Sequence, residues 1–397
     1  MARPWHTPSV ALSLELLQLA AGCADVLGLR EAQLSGACLS AADCAPMEEC
    51  FQNACRSSKC DNGDKRCIGL TAMVCGADNQ WKTQICDAMC AAGSCRTPKS
   101  CSNDQLVCGD KSSCCEAIEI TPDSFTLRYS YPDTASENMR SADDAVPRKV
   151  HRFALDRFEV SVGRFRQFIW TYDTVPAPSE GQGAHPGFPG SGWQQAWNDD
   201  SDRYPGSMFA LTGAVNKYGV DVSKEADPLP PMRGVNWYVA LAFCIWDGGR
   251  LPTEAEWAYA AFGGQEGRDF PWNTDLAPPI SHEDAQYSDA EVIHDAPAAV
   301  GTHPQGEGAF KHEDLGGNVE EWVADVHQVR LPKSCQADAA PNEATECLQL
   351  EGTEFRVTRG GSYKDSGDLL RNTARSREVA VRSRAWIGFR CARDLDE

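Results

Sequence analysis

The stretch Gly249-Arg250-Leu251-Pro252-Thr253-Glu254-Ala255-Glu256-Trp257 decides how this chain is read. Thr253 and Glu256 stand three positions apart just before an apolar run, which is the spacing of a capping box. The Thr253 hydroxyl can accept from the Glu256 amide while the Glu256 carboxylate reaches back. The helix started there carries Trp257 and Phe262 and ends at Gly263-Gly264. Immediately upstream, Val235–Asp247 repeats apolar residues at Val235, Tyr238, Val239, Ala242, Phe243 and Trp246, which predicts an amphipathic helix stopped by Gly248-Gly249. Farther out, Ser161 can cap a short helix in which Val162, Phe165, Phe168 and Ile169 keep helical spacing. Phe125–Tyr131 alternates like a strand, Pro132–Lys149 reads as a polar loop, and Val150–Val160 is strand-like again. The Pro/Gly-rich stretch Thr174–Gly206 carries Trp193, Trp197 and Tyr204, so a packed, cleft-lining loop is expected. Without long heptads or repeated α/β alternation, the fold class is α+β with low regular structure.

The chain has 397 residues, enough for two or three domains. Apolar residues make up 42% and charged residues 24%, which argues against global disorder. The formal charge is 37 − 57 = −20, and this opposes broad binding to nucleic-acid phosphates. Nineteen cysteines are present, and fifteen of them lie between Cys23 and Cys115. From Cys38 to Cys115 no two cysteines stand in a C-x2-C knuckle, and no histidine occurs from Thr7 to Val150. Structural zinc sites use such knuckles and histidines, so a disulfide framework is the better reading, standing in for a sparse apolar core. Residues 38–55, 60–95 and 101–115 read as successive small disulfide-rich modules whose pairing sequence does not fix. A recognition module and a stalk are both compatible with them, and the stalk is the plainer reading.

A disulfide-dense protein is exported, and residues 1–23 read as a lipoprotein signal peptide. Arg3 precedes the apolar run Val10–Leu19, which Glu15 interrupts, and Ala20-Ala21-Gly22-Cys23 then looks like a lipobox with Cys23 as the lipidation site. An amphipathic leader or a misassigned start is the alternative. Removing Cys23 leaves 18 cysteines, an even number. The expected location is extracytoplasmic, in a bacterial cell envelope, with membrane contact only through the N-terminal lipid anchor. The expected division is 1–23 signal peptide, 24–115 Cys-rich disulfide-stapled region and 116–394 a larger domain.

Five segments within 116–394 carry a resemblance. They are Phe158-Glu159-Val160-Ser161-Val162-Gly163-Arg164-Phe165, Val235-Asn236-Trp237, the Gly249–Trp257 stretch, Gly317-Asn318-Val319-Glu320-Glu321-Trp322, and Arg359-Gly360-Gly361-Ser362-Tyr363 with Gly388-Phe389-Arg390. In this order they resemble the formylglycine-generating enzyme family, also called sulfatase-modifying factor domains. The resemblance covers about 70% of the chain and implies a compact α+β fold of the C-type-lectin-like kind. Authentic members of that family oxidise a sulfatase cysteine with O2, using copper held by two cysteines a few residues after Gly-Gly-Ser. Copper(I) needs soft thiolates, yet no cysteine lies between Ser362 and Cys391. Copper is therefore not expected, and that oxidation is disfavoured. The cleft positions matched to the family are Ser362 and Asp365, with no catalytic role assigned to either.

The resemblance also implies structural calcium, held by the side chains of Asp314 and Glu321 and the carbonyls of Gly317 and Val319. All four are chemically able to hold a hard cation. The competing reading pairs Glu321 with an arginine from 371–393. A second calcium position falls within 284–295, with Asp284 and Asp295 as ligands. Glu320 stands where the family carries an aromatic residue, altering the cleft wall near Ser362. The resemblance further implies a disulfide between Cys244 and Cys391, while Cys335 and Cys347 flank an acidic loop that they would close locally.

His282-Glu283-Asp284 and His312-Glu313-Asp314 could imitate a two-histidine, one-carboxylate site, but exposed polar loops are the plainer reading. Seven arginines between Arg371 and Arg393 could receive an anion or pair with the chain's own carboxylates, and pairing is favoured. Two functions of different class remain. The first is a module that holds a peptide or glycan ligand in the domain cleft. The alternative is a metal-dependent oxidoreductase of the formylglycine-generating type acting on protein cysteine.

Overall fold

A computed structural model describes residues 48–51, 54–57, 61–68, 71–86, 89–91, 94–102, 106–122, 125–127, 146–148, 150–223, 226–273, 280–328, 348 and 354–395. Cys23, Cys335 and Cys347 lie outside the described residues, as does the stretch 1–23.

The chain divides into a small unit, residues 1–66 with 73–83, and a large unit, residues 67–72 with 84–397. In the small unit, Glu48–Phe51 pairs antiparallel with Ala54–Ser57. The turn between the strands Thr71–Cys75 and Trp81–Ile85 places Asn79 at φ 56°, with its amide on the Gly76 carbonyl.

The large unit runs β1 (Ala117–Ile120), β2 (Phe125–Leu127), β3 (Val146–Arg148), β4 (Phe153–Asp156), α1 (Val162–Thr171), α2 (Met208–Asn216), α3 (Trp237–Trp246), α4 (Glu254–Phe262), β5 (Glu320–Val326), β6 (Phe355–Arg359), β7 (Ser376–Val379), β8 (Ile387–Gly388) and β9 (Ala392–Asp394). One sheet has the order β1-β4-β9, all antiparallel. A second has the order β7-β6-β5-β8, antiparallel except for the parallel β5–β8 pair. A two-stranded ribbon joins β2 to β3, with Val146 opposite Leu127. That ribbon revises the polar-loop reading of Pro132–Lys149 at its C-terminal end, because a ribbon edge tolerates Pro147.

The three caps are formed as the sequence predicts. Ser161 accepts from the Arg164 amide, Thr253 and Glu256 complete the capping box, and Gly263 ends α4 in the left-handed region at φ 68°. The amphipathic reading of α3 is corrected, since of its ten residues only Ile245 is not buried. The 174–206 loop helps cover the helix, with Trp197 edge-on both to Trp237 (5.8 Å), off the predicted face, and to Tyr238 (5.0 Å), on it. The α2 helix has no counterpart in the sequence reading. Ser207 caps it by accepting from Ala210, and only Leu211 and Val215 are buried, one turn apart.

A charge network ties the Cys-rich segment 99–115 to this domain. Arg164 donates to Asp156 (2.8 Å) and Asp247 (2.7 Å), and Arg393 donates to the same two carboxylates. Asp247 also accepts from the Ser100 amide at 2.7 Å, and the Ser100 hydroxyl accepts from Arg164 at 3.1 Å. The Cys101–Cys115 and Cys108–Cys114 bonds hold this segment together, while Cys244–Cys391 joins α3 to the residue before β9. Two arginines face two aspartates, so the network is neutral although wholly buried.

Removing one carboxylate should therefore be costly, because two guanidinium groups lose one of the two carboxylates they share and the buried network gains a net positive charge. Asp247→Ala is expected to lower unfolding stability by about 3–5 kcal/mol, read from urea denaturation of the oxidised protein. A loss under about 1 kcal/mol, the scale of an exposed ion pair, would show that the network contributes no net stability.

Candidate functional site

The glycine-rich turns of the sequence meet behind β5. The Gly317 amide donates to the Gly360 carbonyl, the Asn318 amide to Gln286, and the Tyr363 amide to Asn318. Three loops, 280–301, 311–319 and 360–366, are thereby locked to one another. Gly317 at φ 85° needs its missing side chain, since a Cβ would stand 2.5 Å from the Gln286 carbonyl oxygen.

Beneath this junction lies a second charge cluster. Arg390 holds Glu321 through Nε at 3.0 and 2.9 Å and through Nη2 at 2.8 Å. It also donates to the carbonyls of Asp156, Arg157 and Glu313. The Trp257 indole donates to the same Glu321 carboxylate at 2.9 Å. Glu159 accepts from the Asn318 side chain (2.6 Å) and the Val319 amide (3.0 Å), and Asp314 accepts from the Gly301 amide (2.6 Å). Burial, with repulsion from Asp314 and Glu321, raises the Glu159 carboxyl well above the ordinary range. Burial pushes Asp314 up to about 6, opposed by the Gly301 amide and Arg390. One guanidinium thus balances three buried carboxylates.

The residues expected to hold calcium are placed as follows. Asp314, Gly317 and Val319 lie within one turn, where Asp314 accepts from the Gly301 amide and the Val319 amide donates to Glu159. Glu321 is engaged by Arg390 and Trp257, as the competing reading had it. Among the described residues no three His, Cys, Asp or Glu side chains form a group able to hold a metal. Asp284 accepts from the Ser281 amide at 2.9 Å, and Asp295 is exposed.

Around Ser362 the chain closes on itself. Ser362 is fully buried, and both its amide (2.9 Å) and its hydroxyl (2.6 Å) donate to one oxygen of Asp365. Glu320 lies nearby on β5 and accepts from the Thr358 hydroxyl at 2.7 Å. Burial raises its carboxyl to about 7, helped by the charges of Asp365 and Glu378 and opposed by Thr358. At the rim, the Lys364 ammonium stands 4.9 Å from the Trp386 ring centre.

Other expected groups fall apart. His312-Glu313-Asp314 is buried, which corrects its reading as an exposed polar loop, because the arginine-rich interior draws these side chains inward. His312 lies under the influence of Arg390 and Arg157, whereas His282 faces Asp289, so the two triplets do not share surroundings. Most arginines of 371–393 pair internally: Arg371 with Asp269, Arg375 with Glu254, Arg384 with Glu378, Arg390 with Glu321, and Arg393 with Asp156. The loop aromatics Trp193, Trp197 and Tyr204 join the core, but the same loop walls a cavity of about 240 Å³. Val175–Pro178, Phe168, Ala242 and Trp246 supply its apolar walls, and the exposed Lys99 stands on its lining.

The raised Glu320 pKa fixes a pH dependence. In the folded state the proton is held to about pH 7, against 4.5 in the unfolded chain. Stability on this account falls as pH rises between these values, by on the order of 3 kcal/mol. Glu320→Gln should abolish most of that fall, seen as closer denaturation midpoints at pH 5 and pH 8 than in the parent. An unchanged pH difference would mean that Glu320 ionises normally.

Comparison with known proteins adds the following. Residues 107–395 match the sulfatase-modifying factor enzyme 1-like domain. The formylglycine-generating enzyme of Bos taurus is 30% identical over 263 residues, 62% of this chain and 66% of that protein. The hercynine oxygenase of Mycolicibacterium thermoresistibile is 32% identical over 184 residues, 44% of this chain and 38% of that protein. The chain thus spans no more than about two thirds of either relative's length. Among solved structures, PvdO from Pseudomonas aeruginosa is 22% identical with a TM-score of 0.47, covering 76% of this chain and 100% of that one.

Proposed function

Because the chain belongs to the sulfatase-modifying factor enzyme 1-like family over residues 107–395, yet offers no thiolate beside Ser362, we propose that it is an exported ligand-binding module rather than a cysteine oxidase. The observation that carries this reading is the Ser362–Asp365 turn. Asp365 occupies the region where the family's copper thiolates would stand, and it is spent on the Ser362 amide and hydroxyl. Cys391, the next cysteine in the chain, is bonded to Cys244. A sulfur in a disulfide is no thiolate and cannot hold copper(I) or attack a substrate.

The ligand class follows from the 174–206 loop. A cavity of about 240 Å³, walled by Phe168, Ala242 and Trp246 on one side and by Ser179 and Gln182 on another, has room for one side chain carrying both apolar and polar atoms, and a peptide is our preferred ligand. Lys99, with its ammonium in water, would meet a carboxylate beside that anchor. A C-type-lectin-like architecture, which presents ligands to loops rather than to sheets, accords with this placement. Export is supported by the disulfides of the described residues, since such bonds persist in oxidising compartments. No helix among the described residues is long and apolar enough to cross a membrane. Attachment through Cys23, with the Cys-rich modules as a stalk, belongs to the same proposal. Structural calcium would sit on the 314–319 turn, held by Asp314 and the Gly317 and Val319 carbonyls, and would offset the carboxylate surplus around Arg390.

Two measurements test this. A peptide array probed with the oxidised protein should give binders with an apolar anchor next to an acid, and Ala177→Trp, which fills the cavity, or Lys99→Glu should lose them. Stoichiometric copper or iron in the purified protein, together with O2 consumption on a cysteine peptide, would overturn the proposal. For the cation, added calcium should raise the melting temperature of chelator-treated protein, and Asp314→Ala should remove that response. Equal shifts in parent and variant would place calcium elsewhere.

A further inference from the structure

The turn that carries Lys99 is fastened to the segment 106–115 by a bond whose two ends differ. Cys101–Cys115 joins a half-buried residue to one at 0% exposure. Both partners of Cys108–Cys114 and of Cys244–Cys391 are buried. A thiol arriving from water therefore meets Cys101 first, with Cys115 as the leaving sulfur. Ser100 stands at that inner sulfur, its Oγ 3.4 Å from Cys115 Sγ. A disulfide sulfur carries no hydrogen, so the hydroxyl is the donor. Its oxygen in turn accepts from Arg164 Nε at 3.1 Å, and Nη1 of the same guanidinium holds the Cys114 carbonyl at 3.3 Å. The Ser100 amide donates to Asp247 at 2.7 Å, which fixes the residue in place.

A bonded sulfur is a weak acceptor and a thiolate is a strong one. The Ser100 contact therefore strengthens as the bond breaks, which favours cleavage more than it secures the bond. Arg164 is balanced by Asp156 and Asp247, so this help comes from aligned hydrogen bonds and not from net charge. The other bond with a half-buried end, Cys86–Cys95, has no such hydroxyl among the described residues. We propose that Cys101–Cys115 is a thiol-exchange site opened by a dithiol reductant, with Ser100 as the donor to its leaving group. A thiolate of the dithiol attacks Cys101 Sγ, the sulfur–sulfur bond breaks, and its electron pair leaves on Cys115 Sγ. The second thiol then displaces the first from Cys101. The dithiol ends as a disulfide, and its two protons end on Cys101 and Cys115. Opening the bond releases the turn, and with it the cationic residue on the cavity lining.

The test uses the full oxidised chain without denaturant and limiting dithiothreitol as the probe, followed by iodoacetamide trapping and peptide mass mapping. In the parent, Cys101 and Cys115 should be alkylated before Cys86, Cys95, Cys108, Cys114, Cys244 and Cys391. Ser100→Ala should slow their reduction about 10-fold, the scale of a lost hydrogen bond to a charged group. In a Cys101→Ala/Cys115→Ala variant, trypsin should cut after Lys99 faster than in the parent, where burial of Ser100 protects that peptide bond. Far-UV circular dichroism of each variant separates a local release from lost folding. Reduction no faster than at Cys86–Cys95 or Cys244–Cys391 in the parent would overturn the site. So would an unchanged or faster rate in folded Ser100→Ala, or equal trypsin protection in the folded double variant.

Discussion

The pairing of Arg390 with Glu321 is the contact on which the domain depends. Both side chains are buried, at 0% and 1% exposure. Arg390 donates to the Glu321 carboxylate and to the carbonyls of Asp156, Arg157 and Glu313. Those carbonyls belong to the end of β4 and to the loop before β5, and Trp257 of α4 reaches the same carboxylate. Four segments distant in sequence therefore converge on one guanidinium. A planar group with five fixed donors suits this task, whereas a lysine would leave acceptors unmatched. The desolvation cost of such a pair is offset only when its hydrogen bonds are complete, which is why the segments bearing Gly-Phe-Arg, Glu-Trp and Glu-Ala-Glu-Trp act as one unit.

This convergence explains how much could be read in advance. The caps at Ser161 and Thr253 are local, set by residues three positions apart, and both are formed. The burial of α3 is not local. A helix with Tyr238 and Trp246 on its sides looks one-faced until the distant Trp197 covers it. The α2 helix escaped because Met208 and Phe209 are exposed, so its apolar residues do not mark its buried face. The buried His312 was missed for the opposite reason, since a His-Glu-Asp run looks solvated unless Arg390 and Arg157 are known to lie beside it. At the site itself, the missing thiolates were visible in the sequence. The closure of Ser362 on Asp365 was not, because a serine three residues before an aspartate can also simply face water.

Replacing a soft donor with a carboxylate changes more than the metal that could bind. Asp365 adds charge next to Glu320, itself a departure from the family's aromatic residue, and helps to raise it. The two departures are physically linked. An aromatic wall suits a metal pocket that excludes water, whereas a carboxylate that holds its proton to about pH 7 tolerates an acidic neighbour. A domain without copper thiolates can therefore close this turn, and the proposed function moves ligand binding to the 174–206 loop instead.

The buried charges do not balance. Among the described residues, ten carboxylates are buried, namely Asp156, Glu159, Asp247, Glu254, Glu256, Glu313, Asp314, Glu320, Glu321 and Asp325. Against them stand eight buried arginines: Arg157, Arg164, Arg166, Arg250, Arg359, Arg375, Arg390 and Arg393. The surplus of two negative charges matches either two retained protons or one divalent cation. The carboxylates pushed upward in pKa, Glu159, Glu313, Asp314 and Glu320, show where the protons would reside, and three of them lie at or beside the turn that calcium would occupy. Protons and calcium are thus competitors for one deficit. Since the buried set of the described residues takes ten of the 57 acidic and eight of the 37 basic side chains, the rest of the chain retains nearly all of the −20 charge. Such a surface attracts divalent cations and repels anions except beside an exposed lysine such as Lys99 at the cavity, which has no ion-pair partner among the described residues.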